Sequence, residues 1–196
     1  HILAELGFPV IGVPASIDND IWGTDMSLGV DTALNTIREA VDKLRDTASS
    51  HQRTFLVVTM GRNCGYLALI SGVICGAEVI IIPEKEIPVD QISKEIIDAY
   101  DRGKSHSIII MSEGASYKPE DVASKLVEDD CGFETRITIL GHVVRGGSPS
   151  AFDRILGTRM GVKAVKALIA GESDVMTGLK GREIVMRKLS DVVSQF

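Results

Sequence analysis

Short β-branched apolar runs alternate along this chain with longer stretches whose apolar residues recur at helical spacing, and that alternation admits few folds. Thr54–Thr59, Glu78–Ile82, Ser107–Met111 and Arg136–Leu140 read as buried strands, and the run Pro9–Pro14 as a short one ending in a loop. Between them, Val30, Ala33, Leu34, Ile37, Val41 and Leu44 mark a long amphipathic helix. Tyr66–Ala77, Val89–Asp101, Pro119–Glu128 and Ser150–Ala170 read as further helices, Pro119 suiting a first turn. Strands separated by helices cannot pair as hairpins. The pattern predicts an α/β fold of largely parallel sheets with helices on both faces.

In such sheets ligands gather beyond the carboxyl ends of the strands. Four polar clusters fall there: Asp18-Asn19-Asp20, Met60-Gly61-Arg62-Asn63, Ser112-Glu113-Gly114, and Gly141 to Ser148. They are expected to face one crevice. Asp18 and Asp20 stand two residues apart, so one carboxylate could accept a proton from a hydroxyl while the other holds Mg²⁺, as phosphoryl transfer requires. The same triplet also suits a solvated turn. Met60 to Gly65 could offer a glycine-flanked helix start and Arg62 to an anion, or could be a tight turn with an exposed Arg. Glu113 could accept hydrogen bonds from a sugar. Cys64 reads as a buried thiol rather than a reactive one.

Net charge is -6. No global basic field therefore favours nucleic acid, and an anionic substrate needs a local cluster of Arg and His. Arg53, Arg136, His142 and Arg145 are suited to phosphate by type, or equally to surface ion pairs and a core histidine. Arg53 and Arg136 sit at the amino ends of strands, His142 and Arg145 beyond a carboxyl end. One subunit would not easily unite them, so a site shared across a subunit boundary and a homo-oligomer are expected. Cys64, Cys75 and Cys131 form no C-x-x-C pair, which fits a reducing cytoplasm. No apolar run reaches the ~18 residues of a membrane span, and the first residues lack a signal-peptide pattern. A dinucleotide-binding dehydrogenase is disfavoured, because no G-x-G-x-x-G follows a strand.

Taken together, PASIDNDIWGTDMSLG, SSHQR, MGRNCGYLAL, the strand end at Glu113, ETR and LGHVVRGGSPSAFDR resemble the phosphofructokinase family in order and spacing. The resemblance covers essentially the whole chain. It implies phosphoryl transfer from ATP to the 1-hydroxyl of fructose 6-phosphate in glycolysis. Asp18 would be the general base, Ser16 would bond near the 1-position, Asp20 would help to hold Mg²⁺, and Arg62 would stabilise the transferring group. Met60, Gly61 and Glu113 would line the sugar, and His142 and Arg145 would hold its phosphate. Arg53 and Arg136 would arrive from a neighbouring subunit, in a homotetramer. Allosteric control by ADP or phosphoenolpyruvate would act through Arg45, Glu78, Arg102 and Lys104, although Arg102-Gly103-Lys104 also reads as a basic helix end. Ala15 stands where pyrophosphate-using members commonly carry Lys, which favours ATP. A pyrophosphate-dependent enzyme and a non-catalytic sugar-phosphate or effector-binding subunit are the alternatives.

The resemblance also implies a division of the chain. Residues 1–29 would carry the catalytic loop of a nucleotide domain, 30–143 would bind fructose 6-phosphate, and 144–196 would return to the nucleotide domain. The family's glycine-rich G-G-D-G-like donor loop does not occur in these residues, and His1 replaces an initiating Met. A fragment lacking the N-terminal nucleotide-binding half is therefore expected. Because positioning of the phosphoryl group supplies most of the catalysis in this chemistry, these 196 residues expressed alone are expected to form no fructose 1,6-bisphosphate from ATP, Mg²⁺ and fructose 6-phosphate. Robust turnover by a chain of confirmed mass would contradict this.

Overall fold

The computed structural model describes residues 1–195, with the backbone alone at His51. In chain order the helices are α1 (Ile2–Glu5), α2 (Val30–His51), α3 (Tyr66–Cys75), α4 (Val89–Asp101), α5 (Pro119–Glu128), α6 (Ala151–Ile169) and α7 (Leu189–Val193). The strands are β1 (Ile11–Gly12), β2 (Arg53–Thr59), β3 (Val79–Ile81), β4 (Ser107–Ser112), β5 (Glu134–Ile139), β6 (Val175–Lys180) and β7 (Glu183–Lys188). They form two compact units, one of residues 33–147 and one of residues 1–32 with the chain from Ser148 onward.

The unit of residues 33–147 is built on a four-stranded sheet of order β3-β4-β2-β5. Every pairing in it is parallel, with Leu56 beside Ile109 and Ile137. Such a sheet buries both faces, so its central strands read as unbroken apolar runs rather than as alternation. Residues 54–59 of β2 and all of β4 are buried. On one face Leu56, Val79, Ile81, Ile109 and Met111 pack with Ile92 and Ile96 of α4 and Val122 and Leu126 of α5. On the other, α3 approaches so closely that a Cβ on Gly72 would lie 2.6 Å from the Ile80 side chain. Helix α3 ends where Gly76 takes a left-handed conformation, two residues short of the expected end. The apolar face of α2, fully buried at Val30, Ala33, Ile37 and Val41, continues to Ala48, which carries the helix past Leu44.

This strand order places a switch point in the sheet. From β2 the chain passes over β4 to reach β3, and from β4 it passes over β2 to reach β5. With right-handed crossovers the two connections leave on opposite faces, and a crevice opens between the carboxyl ends of β2 and β4.

The second unit departs from the parallel pattern. Its sheet has the order β1-β6-β7, with β1 parallel to β6 but β6 antiparallel to β7. A two-residue loop joins the hairpin, and its first residue, Gly181, takes φ 57, as tight hairpins require. Helix α6 covers this sheet, with Leu156 and Met160 against Leu179. A second correction concerns β5. It begins at Glu134 rather than Arg136, because Glu134 stands beside Arg53 on β2 and extends the ladder by a charge pair. Arg136 therefore lies within the strand, level with Phe55.

Candidate functional site

Residues 13–29 form a loop closed at its foot by its own polar groups. The Leu28 N–H donates to the Pro14 carbonyl at 3.0 Å, and the Ser27 hydroxyl donates to the Ser16 carbonyl at 2.8 Å. Ser16 Oγ accepts from the Asp18 N–H at 3.1 Å. Asn19 takes φ 58, a left-handed conformation that Asn tolerates, and its Oδ1 accepts from the Ser27 N–H at 3.0 Å. Its amide also donates to the Asp25 carbonyl. The two carboxylates meet different surroundings. Asp18 is 6% exposed, whereas Asp20 on the next turn is open to solvent. Ser27, which ties this loop together with Asn19, was not singled out from sequence; its signal was a polar residue at the side of a turn.

In the other unit, three polar loops meet along the carboxyl edge of the four-stranded sheet. At the switch point, Glu113 Oε1 accepts the backbone N–H groups of Gly61 at 3.2 Å and Arg62 at 2.9 Å. The carboxylate expected to accept from a sugar thus has one oxygen committed to shaping the neighbouring loop. Gly61 takes φ 145, and Arg62 takes φ 50 although it is not glycine. Gly114 has no alternative residue, since a Cβ there would sit 1.9 Å from the Arg62 carbonyl oxygen. Glu84, which sequence reasoning passed over, accepts from the Gly65 N–H at 2.7 Å and closes the far side of the turn.

Beyond β5, Gly141–Arg145 forms a 3₁₀ turn anchored by the Leu140 N–H on the Val58 carbonyl at 3.0 Å. Residues three apart eclipse in such a turn. His142 and Arg145 therefore share an exposed face, while Val144 between them is buried. Arg53 and Arg136 do not join them. Both pair with Glu134, Arg53 Nε at 2.7 Å. The Arg53 guanidinium, with Arg136 beside it, holds the Glu134 carboxyl below the usual carboxylate range. At about 3.3 Å per residue, Arg53 lies roughly 20 Å along β2 from the edge that carries Arg62.

Three of the four residues expected at an effector site line one cavity of about 270 Å³: Arg45, Glu78 and Lys104, with Cys75 and His106 beside them. Glu78 pairs with Lys104 and accepts the Ile108 N–H at 2.6 Å, and Arg45 donates to the Cys75 carbonyl. Burial, then the nearby Asp42 charge, pushes the Cys75 thiol up, away from the reactive thiolate. Arg102 is not in the lining. It is the C-cap residue of α4, and Gly103 behind it takes φ 80, the left-handed helix-end geometry that glycine favours. Among the described residues no group of three or more His, Cys, Asp or Glu could hold a metal ion. Asp20 is one exposed hard donor, which suits Mg²⁺, since that ion keeps several waters and takes few protein ligands.

A sequence model of the phosphofructokinase family matches residues 1–168. The chain is 50% identical over 193 residues to an ATP-dependent 6-phosphofructokinase of Natranaerobius thermophilus, a match over 98% of the chain and 60% of that relative. It is 51% identical over 195 residues to the enzyme of the same name from Thermotoga neapolitana, covering 99% of the chain and again 60% of the relative. The chain thus spans about 60% of the length of these curated relatives. Among solved structures, phosphofructokinase from Saccharomyces cerevisiae superposes with a TM-score of 0.89 at 39% identity, over 94% of this chain and 26% of that one. A pyrophosphate-dependent phosphofructokinase from Marinobacter aquaeolei, at 23% identity and a TM-score of 0.84 over 99% of this chain and 55% of its own, shares the fold.

The close approach at Gly114 yields a stability test. Gly114→Ala must displace the turn that holds Arg62, so its unfolding free energy is expected to fall by about 1–3 kcal/mol, measured by denaturant unfolding. Unchanged stability would show that the approach is looser than described.

Proposed function

The chain belongs to the phosphofructokinase family, and from that premise we propose that it serves ATP-dependent phosphorylation of fructose 6-phosphate at its 1-hydroxyl. The observation that carries this reading is identity of about half over nearly the whole chain to relatives named for that activity. Asp18 takes the proton of the 1-hydroxyl as its oxygen attacks the γ-phosphorus, while the bond to the bridging oxygen breaks and ADP leaves. Burial within a closed polar loop gives this carboxylate a fixed position, which is most of what a base contributes. Ser16 bonds near the 1-position. Asp20 holds Mg²⁺, whose charge neutralises that of the phosphates when the ion is bound.

The sugar phosphate lies at the switch point. His142 and Arg145 on one face of their turn hold its 6-phosphate. Met60, Gly61 and the second oxygen of Glu113 line the sugar, and Arg62 stabilises the charge of the transferring group. Arg53 and Arg136, held by Glu134 at the far end of the strands, serve the site of a neighbouring subunit, so the assembly is a homo-oligomer, a homotetramer in this reading. The Arg45–Glu78–Lys104 cavity receives an anionic effector of the ADP or phosphoenolpyruvate type. The small Ala15, exposed on the catalytic loop, leaves room for the α-phosphate of a nucleotide, which favours ATP over pyrophosphate. In this reading the reaction is a step of glycolysis and the protein is cytoplasmic; no helix among the described residues is long and apolar enough to cross a membrane.

Two substitutions in the full-length protein test the assignments. Asp18→Asn is expected to lower kcat by about 10²–10⁴-fold while fructose 6-phosphate still binds. Near-normal turnover would remove Asp18 from the role of base. Arg136→Ala is expected to raise the KM for fructose 6-phosphate far more than it lowers kcat, through loss of a charge-assisted bond of about 1.5–3 kcal/mol. An unchanged KM would contradict a phosphate-binding role for this strand residue.

A further inference from the structure

One buried carboxylate takes no part in the mechanism above. Asp153, in the first turn of α6, is 6% exposed, yet its side chain does not serve its own helix. Oδ1 accepts the Gly29 N–H at 3.0 Å and Oδ2 accepts the Thr32 N–H at 2.9 Å together with the Thr32 hydroxyl. Gly29, with φ 105, immediately precedes α2 and has no side chain with which to cap it. Asp153 thus supplies, from 124 residues away, the cap that the start of α2 lacks. Thr32 Oγ1 returns the bond by accepting the Ser150 N–H at 3.0 Å, and Ser150 Oγ caps α6 through the Asp153 N–H at 3.2 Å. In an ordinary capping box the acid three residues in would bond back to its own Ser150 N–H. Here the two helix starts exchange that bond, and each caps the other.

The amides that Asp153 holds lie at the foot of the loop that carries Asp18. Gly29 follows Leu28 and Ser27, whose bonds to the Pro14 carbonyl, the Ser16 carbonyl and Asn19 close that loop. We propose that Asp153 is a positioning residue for the phosphoryl-transfer reaction: through Gly29 and Thr32 it fixes the foot of the Ser16–Ser27 loop and thereby the setting of Asp18. The proposal rests on the function assigned above. A carboxylate suits this place because both of its oxygens accept. An Asn of the same shape would turn an NH₂ group toward N–H donors and lose one arm of the clamp.

The test compares the full-length parent with Asp153→Asn, Thr32→Val and Thr32→Ser, assayed well below their unfolding temperatures. Asp153→Asn and Thr32→Val are expected to lower kcat by about 10–10²-fold, as misplacement of a reacting group does. The KM for fructose 6-phosphate should stay near the parent value, since the residues assigned to its 6-phosphate and ring, His142, Arg145, Met60, Gly61 and Glu113, lie in residues 33–147. Thr32→Ser retains the hydroxyl and should restore kcat. Amide exchange should quicken in residues 15–29 but not in the middle of α6. Parent-like kcat in both damaging variants would overturn the proposal, as would a kcat loss that Thr32→Ser shares with Thr32→Val. If Asp153→Asn does not fold, the Thr32 pair decides. If the parent itself transfers no phosphoryl group, the functional assignment fails, and loop exchange alone then decides whether Asp153 holds the loop.

Discussion

A single carboxylate oxygen at the switch point sets the shape of the carboxyl edge of the four-stranded sheet. Glu113 Oε1 receives two successive backbone N–H groups, from Gly61 and Arg62, and so joins the loop after β2 to the loop after β4. These bonds, with the Cys64 N–H on the Gly61 carbonyl at 2.9 Å, hold the left-handed backbone at Arg62. That conformation costs a non-glycine residue about 1–2 kcal/mol. Charge-assisted hydrogen bonds contribute about 1.5–3 kcal/mol each, and the exposure of Glu113 places these toward the lower end. Two of them still outweigh the strain. The arrangement leaves Arg62 on a fixed backbone, as the role proposed for it requires.

The same logic recurs in the other unit with different partners. The Asp18 loop is held by short polar residues reaching across its own base, and that base is held in turn by Asp153. The Asp18 loop also sets Met26 and Leu28 against the α6 core, while its tip is tied by polar groups. The apolar residues lie behind, in the cores formed by β2, β4, α4 and α5 and by α6 on its sheet, where they supply a rigid frame. Loop shape and core packing thus rest largely on different residues, and a substitution such as Asp153→Asn can disturb one loop without emptying a core.

The frame was legible in the sequence because it depends on local periodicity. The apolar runs of β2 and β4 and the spaced apolar positions of α2 each declare their element within a dozen residues. The β6–β7 hairpin was missed, since Val175–Lys180 is too short and too mixed to alternate clearly, and its turn is marked only by Gly181. The start of β5 was misplaced because it depends on an ion pair between Arg53 and Glu134, far apart in the chain. The residue types suited to phosphate were visible as types, and so were the strand ends that carry them. The clamps behind them were not. Glu113 on Gly61 spans 52 residues and Asp153 on Gly29 spans 124, and nothing in either local segment announces its partner. Arg102, an anion ligand by type, stands at the carboxyl end of α4, outside the lining that Arg45, Glu78 and Lys104 share.

The most direct measurement of the central claim is phosphorus NMR of the full-length protein with ATP, Mg²⁺ and fructose 6-phosphate. The γ-phosphate signal of ATP is expected to decline as a second sugar phosphate ester, at the 1-position, grows in equal amount with ADP. Absence of that ester, or its appearance with pyrophosphate but not with ATP, would contradict that claim.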